Sequence, residues 1–426
     1  MRPWYLAAMV VIALGCSEVV TAADGAPAPR DTAPDKSIPS DVEAPPDASL
    51  DAFADRAEPE TAVPEDAAPD VAVPDDAAPD VTAPEDAAPD VVAPDAPPPM
   101  SRNVRCGSPR PEGAPRPPPL PAYTGGMCPT FAQGRNTFRS MGNMRSFILV
   151  APRTTMPGER LPVLFLWHWL GGSANGFLTQ GNVQAAVDRY RFVAVIPEKK
   201  GDVAIVIPFV RSIDMVWPYL TSSTPARVAE EVTFFDDMLA CVAAQYSIDE
   251  DCISSVGVSA GALWTSQLRL ARSTRLASAI VLSGGVGPAS GTTLLDVQGW
   301  RPTAPPRSVP TLVLWGGATD TCAINFQTAS RNLERALVAT NSFVMECVHN
   351  CGHDVPPVED PTLGVAALYQ FAFDHPYWLE PRESPYIARG LPAGMPTWCA
   401  IGPGSARIRT GMCEAGGPAC NVPALP

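Results

Sequence analysis

Ser259 stands in Gly257-Val258-Ser259-Ala260-Gly261, a G-x-S-x-G pattern between a run of strand type (Ile253–Val258) and a run of helix formers. A serine in that setting is a nucleophile held in a sharp turn, and its chemistry would be acyl transfer. The glycines have a physical reason: side chains two positions either side of the serine would collide with the neighbouring strand and helix. The same turn puts the Ala260 N–H at a helix start, where it can face a developing oxyanion. The serine also needs a base to take its proton and an acid to orient that base.

Both lie further along, in a consistent order. Thr311-Leu-Val-Leu-Trp315 runs into Gly316-Gly-Ala-Thr-Asp320, so Asp320 sits in the loop after a late strand and is the candidate orienting acid. Phe343–Val348 then leads into His349-Asn-Cys-Gly352-His353-Asp-Val-Pro356. His353, after a glycine and in a loop, is the candidate base, with His349 as its backup. The chain has four histidines. Of the others, His168 follows the strand run Pro162–Trp167 and precedes Gly171-Gly172; it is expected to hold that loop and not to act as a base. The same segment Cys347-Val-His349-Asn-Cys351-Gly-His353 could be taken for a metal site. Four ligands in seven residues cannot readily wrap one tetrahedral ion, and disulfides account better for the cysteines, so no metal is expected.

The elements that must position these residues alternate. Strand-like runs fall at 146–150, 162–167, 192–196, 253–258, 279–282, 311–315 and 343–348. Most are near-continuously apolar, as strands covered on both faces should be. Helical patterns fall at 183–190, 226–246, 260–271, 326–338 and 363–373. Such alternation predicts an α/β fold with a mostly parallel sheet flanked by helices. Segments 201–225 and 286–309 read as insertions capping a site, and from Pro376 onward Pro, Gly and Cys predict an irregular, disulfide-held tail of the same domain. Trp167, Trp169, Trp217, Tyr219 and Trp264 are candidate pocket aromatics, with Trp167 and Trp264 the more natural core residues.

The elbow G-V-S-A-G, W-H-W-L-G-G at 167–172, G-G-A-T-D at 316–320 and G-H-D-V-P at 352–356 together resemble the secreted polyhydroxyalkanoate depolymerase and feruloyl esterase group of α/β-hydrolases. The resemblance covers about residues 140–375. It implies the α/β-hydrolase fold and cofactor-free ester hydrolysis through Ser259, Asp320 and His353. It also implies a second oxyanion donor, from the N–H of Trp169 or Leu170, beside that of Ala260. The group usually has His-Gly at that loop, where this chain has His168-Trp169, and no separate polymer-binding module is evident. A catalytically inactive surface binding protein or a serine peptidase on the same scaffold are the alternatives; the intact Ser, Asp and His argue against the first.

The 426-residue chain divides sharply by composition. Residues 1–15 carry one charge, Arg2, and an apolar run from Trp4 to Leu14, the length of a signal-peptide core. Ala13-Leu-Gly-Cys16 resembles a bacterial lipobox, so Cys16 is expected to carry a lipid anchor on an extracytoplasmic protein at the cell surface or in the periplasm, with plain secretion after cleavage nearby as the alternative. Segment 16–104 is read as anchor plus spacer: between Ser17 and Met100, 21 Asp and Glu face three Lys and Arg, with a ten-residue repeat beginning at Pro64, Pro74 and Pro84. Proline and charge at this density predict an extended, self-repelling segment without a core. The whole chain has net charge −15, but beyond Met100 its 26 basic and 24 acidic residues nearly balance. No basic patch points to nucleic acid. The catalytic domain is expected over 105–375 and its tail over 376–426. The domain and tail hold ten cysteines, an even number in an oxidising compartment, hence five expected disulfides. Helix-to-strand return predicts Cys241–Cys252. Proximity of the acid and base loops predicts Cys322–Cys351, with Cys347 competing.

Overall fold

The structure, a computed structural model, describes residues 104–205, 213–289, 296–300, 305–358, 360 and 362–413. The leader with Cys16 and the acidic spacer lie outside the described residues, as do parts of both insertions and the end of the tail. In chain order the elements are β1 (Gly134–Ser140), β2 (Asn143–Val150), β3 (Leu161–Trp167), α1 (Ala174–Gln180), α2 (Val183–Tyr190) and β4 (Val193–Pro197). A ribbon of β5 (Ala204–Ile205) and β6 (Ile213–Asp214) precedes α3 (Pro225–Gln245), β7 (Ile248–Val258), α4 (Ala260–Ala271) and β8 (Ser278–Leu282). Then come β9 (Thr311–Trp315), a second ribbon of β10 (Thr321–Cys322) and β11 (Ile324–Asn325), α5 (Phe326–Ala339) and β12 (Val344–Val348). The described chain closes with α6 (Gln370–Phe373), α7 (Pro385–Arg389) and β13 (Cys399–Ile401).

Nine strands form one sheet in the order β1-β2-β4-β3-β7-β8-β9-β12-β13. The six from β4 to β12 are mutually parallel. The outer pairings of β1, β2 and β13 are antiparallel. The pleat explains the continuous apolar runs. Val163, Phe165 and Trp167 of β3 pack into one layer with Phe235, Leu239 and Leu263. Leu164 and Leu166 face the opposite layer with Phe177, Val187 and Phe371. Each face of the strand thus has its own helical cover, so alternation would have left polar groups in a core. The described parts of the two insertions meet, as expected of a cap: Leu220 bridges Val297, and the Gln298 N–H donates to the Tyr219 carbonyl at 2.9 Å.

The cysteines depart from expectation. Cys106 is bonded to Cys252 and Cys128 to Cys241, so the expected Cys241–Cys252 bridge is not formed. The chain ahead of β1 reaches both α3 and β7 and offers each of them a separate cysteine. Its attachment is also polar: the Arg110 guanidinium pairs with Asp251, and the Thr124 N–H donates to Asp237 at 2.8 Å. Cys322–Cys351 is not formed either. Cys351 is bonded to Cys413 and Cys347 to Cys399, and Cys322 is disulfide-bonded elsewhere. The acid and base loops do meet, but through their side chains, while Cys351 faces the tail. The tail is less irregular than its composition suggests, because β13 adds an edge strand to β12.

Candidate active site

Ser259 stands between β7 and α4 as the residue that caps the helix, with φ 54° and ψ −117°, a left-handed backbone for a residue with a side chain. Such a conformation costs on the order of 1–3 kcal/mol and persists only where its surroundings enforce it. The flanking glycines show how closely they do. A Cβ on Gly257 would lie 2.1 Å from the Gly261 carbonyl oxygen, and one on Gly261 would lie 2.0 Å from that of Trp167. The first is helix backbone and the second is the end of β3, the two neighbours that the sequence pattern implied. Helix α4 is buried from Ala260 to Leu270, so the turn is clamped on all sides.

The three residues singled out in the sequence form one hydrogen-bonded chain. Ser259 Oγ lies 2.9 Å from His353 Nε2, and His353 Nδ1 lies 2.7 Å from Asp320 Oδ1. With a carboxylate accepting from Nδ1–H, Nε2 carries the lone pair and accepts from the serine hydroxyl. Asp320 is fully buried, and its second oxygen accepts from the Ser283 hydroxyl at 2.9 Å and the Gly316 N–H at 2.7 Å. Its carboxylate is therefore satisfied without water. The imidazole of His353 stacks on Phe326, with ring centres 4.1 Å apart and planes 14° apart.

His349 does not reach the serine. It is buried, its Nδ1 accepts the Cys351 N–H at 3.2 Å, and burial pushes its pKa down to about 4. It is a neutral packing group beneath Gly316, where an added Cβ would come 2.9 Å from its Cε1. His168 is likewise buried, and its Nδ1–H donates to the Trp169 carbonyl at 3.1 Å. Its Nε2 lies 3.4 Å from Glu198 Oε1. Partial burial pushes the Glu198 carboxyl up, but the neighbouring His168 ring, the Ala174 N–H that donates to it and the charge of Arg135 hold it below the ordinary range. The pair ties the loop after β3 to the start of α1, the structural role expected of His168.

Ala260 is the first residue of α4, where backbone N–H groups have no partner within the helix. Leu170 joins Ser259 and Ala260 in lining a cavity of about 20 Å³. The indole of Trp169 turns away: it packs 6.0 Å, centre to centre, from Phe177 and covers Gly172. Of the five candidate aromatics only Tyr219 lines the cavity, with Met215, Leu263, Ile324 and Phe326. Trp167, Trp217 and Trp264 are wholly buried, and the Trp217 indole N–H donates to the His168 carbonyl at 2.8 Å. Ser283 and Phe326 were not read from the sequence. Ser283 had a signal, since Leu282-Ser283-Gly284-Gly285 repeats the pattern of a strand ending in glycines. Phe326 had none, being one apolar residue among many at a helix start.

No protein-family model and no curated protein sequence matches the chain. Solved structures do. A pOPH variant in complex with DMSO aligns with a TM-score of 0.51 at 17% identity, over 65% of this chain and 96% of that one. Native sOPH gives 0.51 at 18% identity, over 66% and 97%. A ferulic acid esterase gives 0.42 at 17% identity, over 56% and 96%. The first two align over nearly their whole length with the domain that carries the mostly parallel nine-strand sheet. The chain therefore has the α/β-hydrolase fold.

Proposed function

We propose that this protein is a serine esterase that hydrolyses carboxylic esters outside the cytoplasm through an acyl-enzyme. The observation that carries the reading is the unbroken chain from Ser259 Oγ through His353 to Asp320, built on a strained turn at a helix start. His353 Nε2 removes the hydroxyl proton as Ser259 Oγ attacks the ester carbonyl. Asp320 holds the imidazole in the required tautomer and stabilises the imidazolium that forms. The Ala260 N–H and an N–H of the Trp169–Leu170 loop face the oxyanion. His353 then protonates the departing alcohol, and a water deprotonated by the same nitrogen releases the acid. No step requires a cofactor.

A fluorophosphonate probe tests the reading: the wild type should label and Ser259→Ala should not, with aryl-ester hydrolysis lost in parallel. An unlabelled, properly folded wild type that hydrolyses no ester would sink it and favour a binding role on the same scaffold. The disulfides support an oxidising compartment. Attachment through a lipid on Cys16 is part of the proposal, and metabolic palmitate labelling should vanish in Cys16→Ala.

A further inference from the structure

The cavity beside the serine limits what it can receive. It is about 20 Å³, little more than the ~10–15 Å³ that one water needs. Its walls come from three directions: Leu170 from the loop after β3, Leu263 from the first turn of α4, and Met215 with Tyr219 from the first insertion. Ile324 and Phe326 close the side next to Asp320. No charged side chain lines it. Leu263, Met215 and Tyr219 are themselves buried, with exposures of 0%, 4% and 1%, so the walls are set in the core.

Which half of an ester enters follows from the proton path. The leaving oxygen must take its proton from His353 Nε2, so the alcohol lies on the histidine side. The cavity touches Ser259 and Ala260, while the His353 imidazole is not among its walls and lies against Phe326, the ring that separates the two. The group it accepts is therefore the one that stays on the serine.

Resting on the esterase reading above, we propose that this is an acyl pocket selecting short, uncharged acyl groups of about two or three carbons, with Leu263 and Met215 setting its depth. Acetyl esters, with one methyl beyond the carbonyl, fit it. Each further methylene has to displace a buried wall, and discrimination by a rigid apolar pocket amounts to roughly tenfold or more per methylene that does not fit.

The test is kcat/KM for p-nitrophenyl acetate, butyrate and octanoate with the full chain. The wild type should prefer acetate over octanoate by at least about a hundredfold. Met215→Ala should raise octanoate relative to acetate by roughly tenfold. Leu263→Ala should do the same; because Leu263 belongs to the helix core, circular dichroism must show it folded, and Met215→Ala carries the test if it is not. A wild type that labels with fluorophosphonate yet prefers octanoate overturns the pocket assignment alone. Absence of both labelling and hydrolysis overturns the esterase reading beneath it. An octanoate-to-acetate ratio unmoved in Met215→Ala would remove that residue from the pocket.

Discussion

The serine and the histidine that meets it are held by different means. Ser259 is fixed by packing: a parallel strand behind it, a fully buried helix ahead, and glycines pressed against backbone on both sides. His353 sits in a long loop with little regular structure, and that loop is tied down from outside. Cys351 is bonded to Cys413, the Asn350 side chain donates to the Gly411 carbonyl at 2.9 Å, and Arg409 donates to the Asn350 side chain at 2.9 Å. Nucleophile geometry is a property of the sheet; base geometry is a property of the tail. Damage to the first half should therefore cost the fold, and damage to the second should cost activity first.

The largest effects come from removing the reacting groups. Ser259→Ala should abolish ester turnover with the fold intact, and His353→Ala should lose about 10³-fold or more in kcat. Asp320→Asn should be comparably severe, since it strips the partner that selects the imidazole tautomer. His349→Ala should leave kcat within about tenfold, because its ring touches neither the serine nor Asp320 in the hydrogen-bonded chain. A dead His349→Ala beside an active His353→Ala would reverse the assignment of the base.

Gly261→Val breaks the packing half. Its first added atom would lie 2.0 Å from the Trp167 carbonyl, which is strand backbone and cannot step aside. Loss of more than about 4 kcal/mol is expected, read as a collapsed urea midpoint with activity falling in step. A stable, folded but inactive Gly261→Val would show that packing does not hold the serine.

The tethered half should behave otherwise. With Cys351→Ser and Cys413→Ser together, kcat should fall about tenfold at temperatures well below the variant's own melting point. The loss of a link closing a 62-residue separation lowers global stability by at most about 4 kcal/mol. If activity instead tracked the unfolded fraction, the loop would not depend on its tie.

A smaller effect is electrostatic and also lies on the tail side. Glu334 of α5 is buried, and burial, with the nearby Glu346 on β12, pushes its pKa up to about 8. Its folded value stands above the unfolded one, so the stability it brings is full below about pH 4.5 and is lost as pH rises toward about 8. His349 acts in the opposite sense: burial lowers it to about 4, so it destabilises as pH falls from about 6.5 to about 4. The two oppose each other between about pH 4.5 and 6.5, leaving Glu334 alone above that. The melting temperature should decline from pH 6.5 to 8 in the wild type and stay flatter in Glu334→Gln; identical profiles would remove Glu334 from the account.

The same contrast governs what could be read in the sequence. The packed half was legible because burial writes itself into composition: β3, β8 and β9 are nearly continuous apolar runs, and β7 and α4 meet at the glycine-flanked serine. Asp320 and His353 were found because each follows such a run. Elements defined by partners and not by their own burial were missed. Strand β1, Gly-Arg-Asn-Thr-Phe-Arg-Ser, alternates exposed polar residues at an edge, and β13 is three residues held to β12 beside a cystine. Helix α1 is seven residues long and contains glycine and threonine. The disulfides failed for a related reason. Proximity along the chain favoured Cys241–Cys252, but the partners came from a Pro-rich entry segment with no periodicity to place it.

The four bridges among the described residues have a consequence for how the chain must be made. Cys106–Cys252 encloses Cys128–Cys241, and Cys347–Cys399 interleaves with Cys351–Cys413. Three of the four join cysteines that are not consecutive in order of emergence; only Cys128–Cys241 joins neighbours. An oxidant acting on the chain as it threads out would first couple Cys106 to Cys128, and later Cys322 to Cys347, both wrong. Correct maturation thus requires thiolates to attack and exchange those early bonds after the whole chain has arrived. In an export route that oxidises without an isomerase, this protein should accumulate as covalently scrambled chains, with the His353 loop among the last parts to be set right.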